Sequence, residues 1–132
     1  MRYASALGLA LGVLLGCAPR PTVVTARDLI EAPAPHDGAH IVLVGQVQDP
    51  RSRTPPTGNS YTSFVVVDGS GRIPVVAWGT QEMGSGDLVE VRGVFHTAMR
   101  AGGETLPDTV EAAFVRRLRA AVQPPGTPVG PP

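Results

Sequence analysis

Five strand-length stretches, rich in β-branched residues and bounded by glycine, proline or aspartate, constrain this chain more than anything else in it. Ile41-Val42-Leu43-Val44-Gly45-Gln46-Val47 is the first, and its near-continuous apolar run predicts a strand with both faces partly covered. Tyr61 to Val67 is the second and Arg72 to Trp78 the third. Between them Asp68-Gly69-Ser70-Gly71 supplies the positive φ of a tight hairpin. Pro74 cannot donate to a ladder, so the third strand is expected at an edge or with a bulge. Leu88 to Phe95 alternates at period two, with Val89 and Val91 inward and Glu90 and Arg92 outward. Thr109 to Leu118 is the fifth run, with Val110, Ala112 and Phe114 on one face. Phe64, Phe95 and Phe114 read as core. Asp49 to Ser60 and Thr97 to Pro107 read as long loops, the second around Gly102-Gly103, and Gly79 to Asp87 as a short polar connection.

Ahead of these runs lies one helical signal. Thr25-x-x-Asp28 is a capping box, and Val24 and Leu29 stand where a hydrophobic staple would place them. Pro33 and Pro35 should stop the helix quickly. Residues 26–32 therefore make about two turns, presenting Leu29 and Ile30 to a core. Asp37-Gly38 is a turn.

With 132 residues, 17% charged and 42% hydrophobic, the chain suits one small globular domain. Every basic side chain is an arginine, and basic and acidic residues balance at 11 each. There is no cationic surplus of the kind that neutralising phosphates requires. The single cysteine excludes an intramolecular disulfide. It follows Leu14-Leu15-Gly16 at the end of an apolar run that begins at Ala4, behind Met1 and Arg2. That run is too short for a bilayer core of roughly 30 Å.

Leu14-Leu15-Gly16-Cys17 resembles the lipobox of bacterial lipoprotein signals. The resemblance implies cleavage before Cys17 and lipidation of its sulfur, several acyl chains holding the protein to a membrane. It divides the chain into a signal peptide, 1–16, a lipidated tether, 17–24, a folded domain, 25–119, and a Pro/Gly-rich disordered tail, 120–132. Ala18, where some retained lipoproteins carry aspartate, implies an outer-membrane, periplasm-facing anchor if the cell is Gram-negative.

Asp37-Gly38 with Ile41 to Val47, Phe64 to Ile73 around Asp68-Gly69-Ser70-Gly71, and Gly86 to Gly93 together resemble an OB-fold, in its tRNA-anticodon-binding-like group. The expectation is an all-β, five-stranded, OB-like Greek-key barrel with a short N-terminal helix. Gly45 and Gly93 would permit the bulges that coil its strands. Gly79 to Asp87 is too short for the helix many such barrels carry there, and residues 26–32 would plug that end instead. The strand count also fits a sandwich or an SH3-like barrel. The resemblance places the ligand face across the second and third strands. Tyr61 and Trp78 would stack there, and Arg51, Arg53, Arg72 and Arg100 would meet negative charge.

Catalytic and metal constellations are missing from the sequence. His36, His40 and His96 do not form a zinc-ligand pattern, and no Gly-x-Ser-x-Gly elbow, phosphate-binding loop or carboxylate pair is visible. The expectation is a non-enzymatic, cofactor-free, lipid-anchored module of the cell envelope, recognising a protein, a glycan or a small ligand. The alternatives are a single-stranded nucleic-acid-binding protein and a carrier similar to the OB-fold haem chaperone. The haem chaperone's C-terminal His-x-x-x-Tyr is replaced here by Arg116-Arg117-Leu118-Arg119 and prolines.

Overall fold

One strand serves two neighbours in turn, and that closes the barrel. The computed structural model describes residues 20–121; the signal peptide, Cys17 and all but the first two residues of the expected tail lie outside them. After β1 (Thr22–Val23), α1 (Ala26–Glu31) and α2 (Pro33–His36) comes β2 (His40–Arg53). Its first half pairs antiparallel with β5 (Leu88–Ala101), and from Gln46 onward it pairs with β3 (Tyr61–Val67). Gly45 stands at the changeover, where a Cβ would lie 2.5 Å from the Val67 carbonyl oxygen. β3 pairs with β4 (Arg72–Trp78), β4 runs parallel to β6 (Glu104–Arg119), and β6 returns to β5. The sheet order β1-β2-β3-β4-β6-β5, with β2 also on β5, makes a closed five-stranded ring and a two-residue edge strand. The fold is all-β and OB-like.

Ile41, Leu43, Val47, Phe64, Val66 and Phe95 fill the barrel. Helix α1 closes one end: Ala26 and Leu29 are fully buried in the same core. Four N–H groups at its start would be left without partners by the helix itself, and each finds one. Thr25 N–H donates to Asp28 Oδ2 at 2.9 Å, and Asp28 N–H to Thr25 Oγ1 at 3.2 Å. Ala26 N–H donates to Asp68 Oδ2 at 2.7 Å, and Arg27 N–H to Ser70 Oγ at 3.1 Å. The β3–β4 turn thus caps the plug as well as joining two strands.

Several expectations are corrected. α1 stops at Glu31, with Ala32 as its C-cap, ahead of Pro33 as expected, but helical structure resumes at once: Pro33 and Pro35 open α2, where both occupy the first turn and no N–H is required of them. Ile30 is half exposed, and it is Ala26 that joins Leu29 in facing inward. β4 is not an edge strand; β6 pairs only with Val75–Ala77, so Pro74 lies just before that ladder begins. Neither long loop is wholly a loop. β2 continues to Arg53, and Thr97 to Pro107 forms a hairpin arm turning on Gly102-Gly103, both at positive φ.

Phe114 is half exposed, not core. Arg92 faces Phe114 while Gly93 faces Ala112, so Ala113 is an extra residue in β6. Side chains alternate, and one inserted residue reverses the faces beyond it. Val110 and Ala112 point inward, whereas beyond the bulge Val115 takes the inner side. Gly93 opposite the bulge has no room for a Cβ, which would overlap the Glu111 carbonyl.

Candidate binding cleft

The outer face of β3 and β4 carries Ser63, Val65, Pro74 and Val76, and two walls rise beside it. The β5–β6 arm forms one wall. Its Met99, Ala101 and Leu106 pack on Tyr61 and Val76 in a small second hydrophobic cluster outside the barrel. β2 forms the other wall beyond a bulge between Gln48 and Arg51. That bulge matters for chemistry. Arg51 lies opposite Ser63 and Arg53 opposite Tyr61, so the one extra residue turns both arginines onto the same outer face as the cleft floor. The resulting cleft has a volume of about 600 Å³.

Its electrostatics are mixed. Arg51 and Arg53 are exposed on the β2 wall, and Arg53 Nε donates to Ser63 Oγ at 3.3 Å. Asp49 and Glu104 contribute carboxylates to the same cleft. Asp49 has φ +50°, and Asp108, at the root of the arm, has φ +44°. Left-handed backbone is uncommon outside glycine, and aspartate is among the residues that tolerate it.

Tyr61 lines the cleft but is only 7% exposed, because the arm covers it. Its ring meets Trp78 edge to face, centroids 5.9 Å apart at 74°. Trp78 Nε1–H donates to Glu111 Oε2 at 2.8 Å, and His96 Nε2 lies 3.0 Å from the other carboxylate oxygen. The indole hydrogen bond above all, with His96 adding to it, holds the Glu111 carboxyl below its usual pKa. Hence Trp78, although partly exposed, is a fixed ring at the end of β4 and lines a neighbouring groove rather than the cleft.

Of the six side chains singled out from sequence, Arg51, Arg53 and Tyr61 come together in the cleft. Arg72 is exposed at the far end of β4, outside the cleft lining. Arg100 is exposed on the arm between buried Met99 and Ala101, so it faces away from the cluster they form. Sequence reasoning missed Asp49, Glu104 and Leu106. The available signal was Gly102-Gly103 between short alternating segments, a two-residue hairpin pattern. Among the described residues no three His, Cys, Asp or Glu side chains converge as metal ligands, and no helix is long and apolar enough to cross a membrane.

No protein-family model matches the sequence, and no curated protein matches it. Solved structures do match in shape. A putative aspartyl-tRNA synthetase from Leishmania major Friedlin superposes at a TM-score of 0.57 with 10% identity, over 83% of this chain and 23% of that one. An OB domain from Thermoplasma acidophilum gives 0.48 with 17% identity, over 78% of this chain and 91% of its own. A ZRD-deleted mutant of TiaS in complex with agmatine gives 0.47 with 15% identity, over 80% and 26%. The chain thus spans under a quarter of the synthetase. At these identities the likeness is one of fold.

Proposed function

We propose that this protein is a non-catalytic OB-fold binding module that receives an extended, negatively charged ligand along the β3–β4 cleft. The observation that carries the reading is the bulge in β2, which sets Arg51 and Arg53 side by side over the cleft floor. Single-stranded nucleic acid is the ligand class favoured by the likeness to a protein named as a tRNA synthetase. Two arginine contacts would give a modest affinity, with log K falling by about 1.4 per tenfold rise in salt at roughly 0.7 per phosphate on a single strand.

The second reading places the same cleft in the cell envelope, where lipidation at Cys17 holds the domain to a membrane facing the periplasm and the ligand is a protein or glycan. Leu14-Leu15-Gly16-Cys17 and the balanced charge support it. Trp78, the one tryptophan of the chain, touches the Tyr61 ring that lines the cleft and serves as the reporter. Titration with a single-stranded 12-mer at low and high salt should change its emission, and Arg51→Glu with Arg53→Glu should weaken binding about tenfold or more. No binding at low salt removes the nucleic-acid reading. Titration with soluble peptidoglycan fragments then tests a glycan ligand, and labelled palmitate incorporation lost in Cys17→Ser tests the anchor.

A further inference from the structure

A second, separate surface begins where β4 and β6 part. Their parallel ladder covers only Val75–Ala77 with Val110–Ala112. On one side of that short ladder lies the cleft. On the other, β6 continues from Ala113 to Arg119 paired with β5 alone, so among the described residues its opposite edge has no strand beside it. A groove of about 390 Å³ runs along this edge, lined by Trp78, Gln81, Ala113, Phe114 and Val115.

We propose that this free edge of β6, with the groove between Trp78 and Phe114, takes up an extended segment of another protein in which acidic and apolar residues alternate. An unpaired strand edge offers a row of backbone donors and acceptors to an incoming strand. Edges that must stay alone are blunted by charge and by a lack of apolar side chains. Here the edge carries charge, in Arg116, Arg117 and Arg119, but the second device is missing beside it: Trp78, Phe114 and Leu118 are 39%, 50% and 43% exposed. The Ala113 bulge is what turns Phe114 outward.

Charge selects the occupant. Arg92 and Arg116 both reach Glu90, at 3.3 and 3.4 Å, and Arg117 reaches Asp87 at 3.7 Å. With Arg119, four arginines stand against the Glu90 and Asp87 carboxylates along this part of β5 and β6, while Glu111, held by Trp78 and His96, lies at the other end of the groove. A second copy of the chain would set Arg116, Arg117 and Arg119 against an equally cationic edge, which like-charge repulsion disfavours. An acidic strand meets complementary charge, and its alternate apolar side chains fit beside Phe114.

The test uses the full chain and two dye-labelled ten-residue peptides, one alternating Glu with Val and Phe, the other with Lys in place of Glu. Anisotropy reads affinity, and amide hydrogen exchange locates the contact. The Glu peptide should bind at least about tenfold tighter than the Lys peptide and protect amides in 113–119. Phe114→Ser should weaken it about fivefold, and Arg116→Glu with Arg119→Glu should reverse the charge preference. Both variants change exposed side chains, and circular dichroism verifies their fold. No binding of the Glu peptide at millimolar concentration, equal binding of the two, or protection mapping to β3 and Arg51 would overturn the proposal. So would concentration-dependent dimerisation that protects 113–119 without peptide.

Discussion

Replacing Leu29 with alanine removes the side chain by which α1 closes the barrel. Leu29 is fully buried among the core residues. Losing three carbons at about 0.8 kcal/mol each costs about 2.4 kcal/mol. A residual cavity of roughly 60 Å³, at about 24 cal/mol per Å³, adds about 1.4 kcal/mol. The cavity term should be nearly complete here, because α1 cannot sink inward to fill the space. Its first backbone N–H groups are pinned by Asp68 and Ser70 on the β3–β4 turn as well as by Thr25 and Asp28. The expected loss is therefore about 3–4 kcal/mol, lowering Tm by roughly 12–30 °C for a domain of about 100 residues. Urea unfolding followed by Trp78 emission and by circular dichroism measures it, with an unchanged m-value showing that the native state keeps its compactness. Ile30→Ala is the control on the same helix, half exposed and expected to cost under about 1 kcal/mol. If Leu29→Ala costs no more than Ile30→Ala, α1 is an ornament on the barrel and not its plug.

Three further outcomes test the same physics elsewhere. Gly93→Ala should cost about 2–3 kcal/mol by urea unfolding, because its Cβ would press on the Glu111 carbonyl and on Ala112 Cα, backbone atoms that cannot swing aside. Asp68→Ala should cost about 1–2 kcal/mol and increase exchange of the Ala26 and Arg27 amides, since it removes the acceptor of the buried Ala26 N–H and loosens Ser70. Asp87 accepts from the Gly84 and Ala121 amides, which hold its carboxyl below the ordinary aspartate value of about 3.9, with Arg117 adding to the effect. A depressed folded-state pKa gives stability present above the unfolded value and lost as pH falls through the folded one. Wild-type stability should thus decline below about pH 4, and Asp87→Asn, weaker at neutral pH, should decline less over the same range in denaturant titrations.

The strands that the sequence announces most clearly are those whose one face meets the core. β3 and β4 begin and end where Tyr61, Val67, Arg72 and Trp78 indicate, since a glycine-bearing hairpin joins two runs rich in buried residues. The extensions of β2 and of the β5–β6 arm were hidden for the converse reason. Asp49 to Arg53 has no core beneath it, so its side chains show no alternation, and Pro50 imitates a turn. In the arm, Met99, Ala101 and Leu106 do face a cluster, but one too small to produce a strand-length apolar run. Periodicity reports burial, and paired backbone without burial leaves little trace in composition.

The two surfaces depend on a different kind of information, one that side-chain alternation conceals. Without the irregularity between Gln48 and Arg51, the parity that puts Val47 in the core would also turn Arg51 and Arg53 inward. Without Ala113, the parity of Val110 and Ala112 would put Phe114 in the core, as the sequence suggests. Each local break in register moves a chemically distinctive side chain from interior to surface without altering the strand order. The arm produces the reverse case: it converts Tyr61, which the OB resemblance assigns to stacking, into a buried support for the cleft wall. A ligand in the cleft consequently meets Val65, Pro74 and the guanidiniums of Arg51 and Arg53 before it meets an aromatic face. Recognition there should rest on charge and shape more than on stacking, so its affinity should respond more steeply to salt than to the substitution of Tyr61 by phenylalanine.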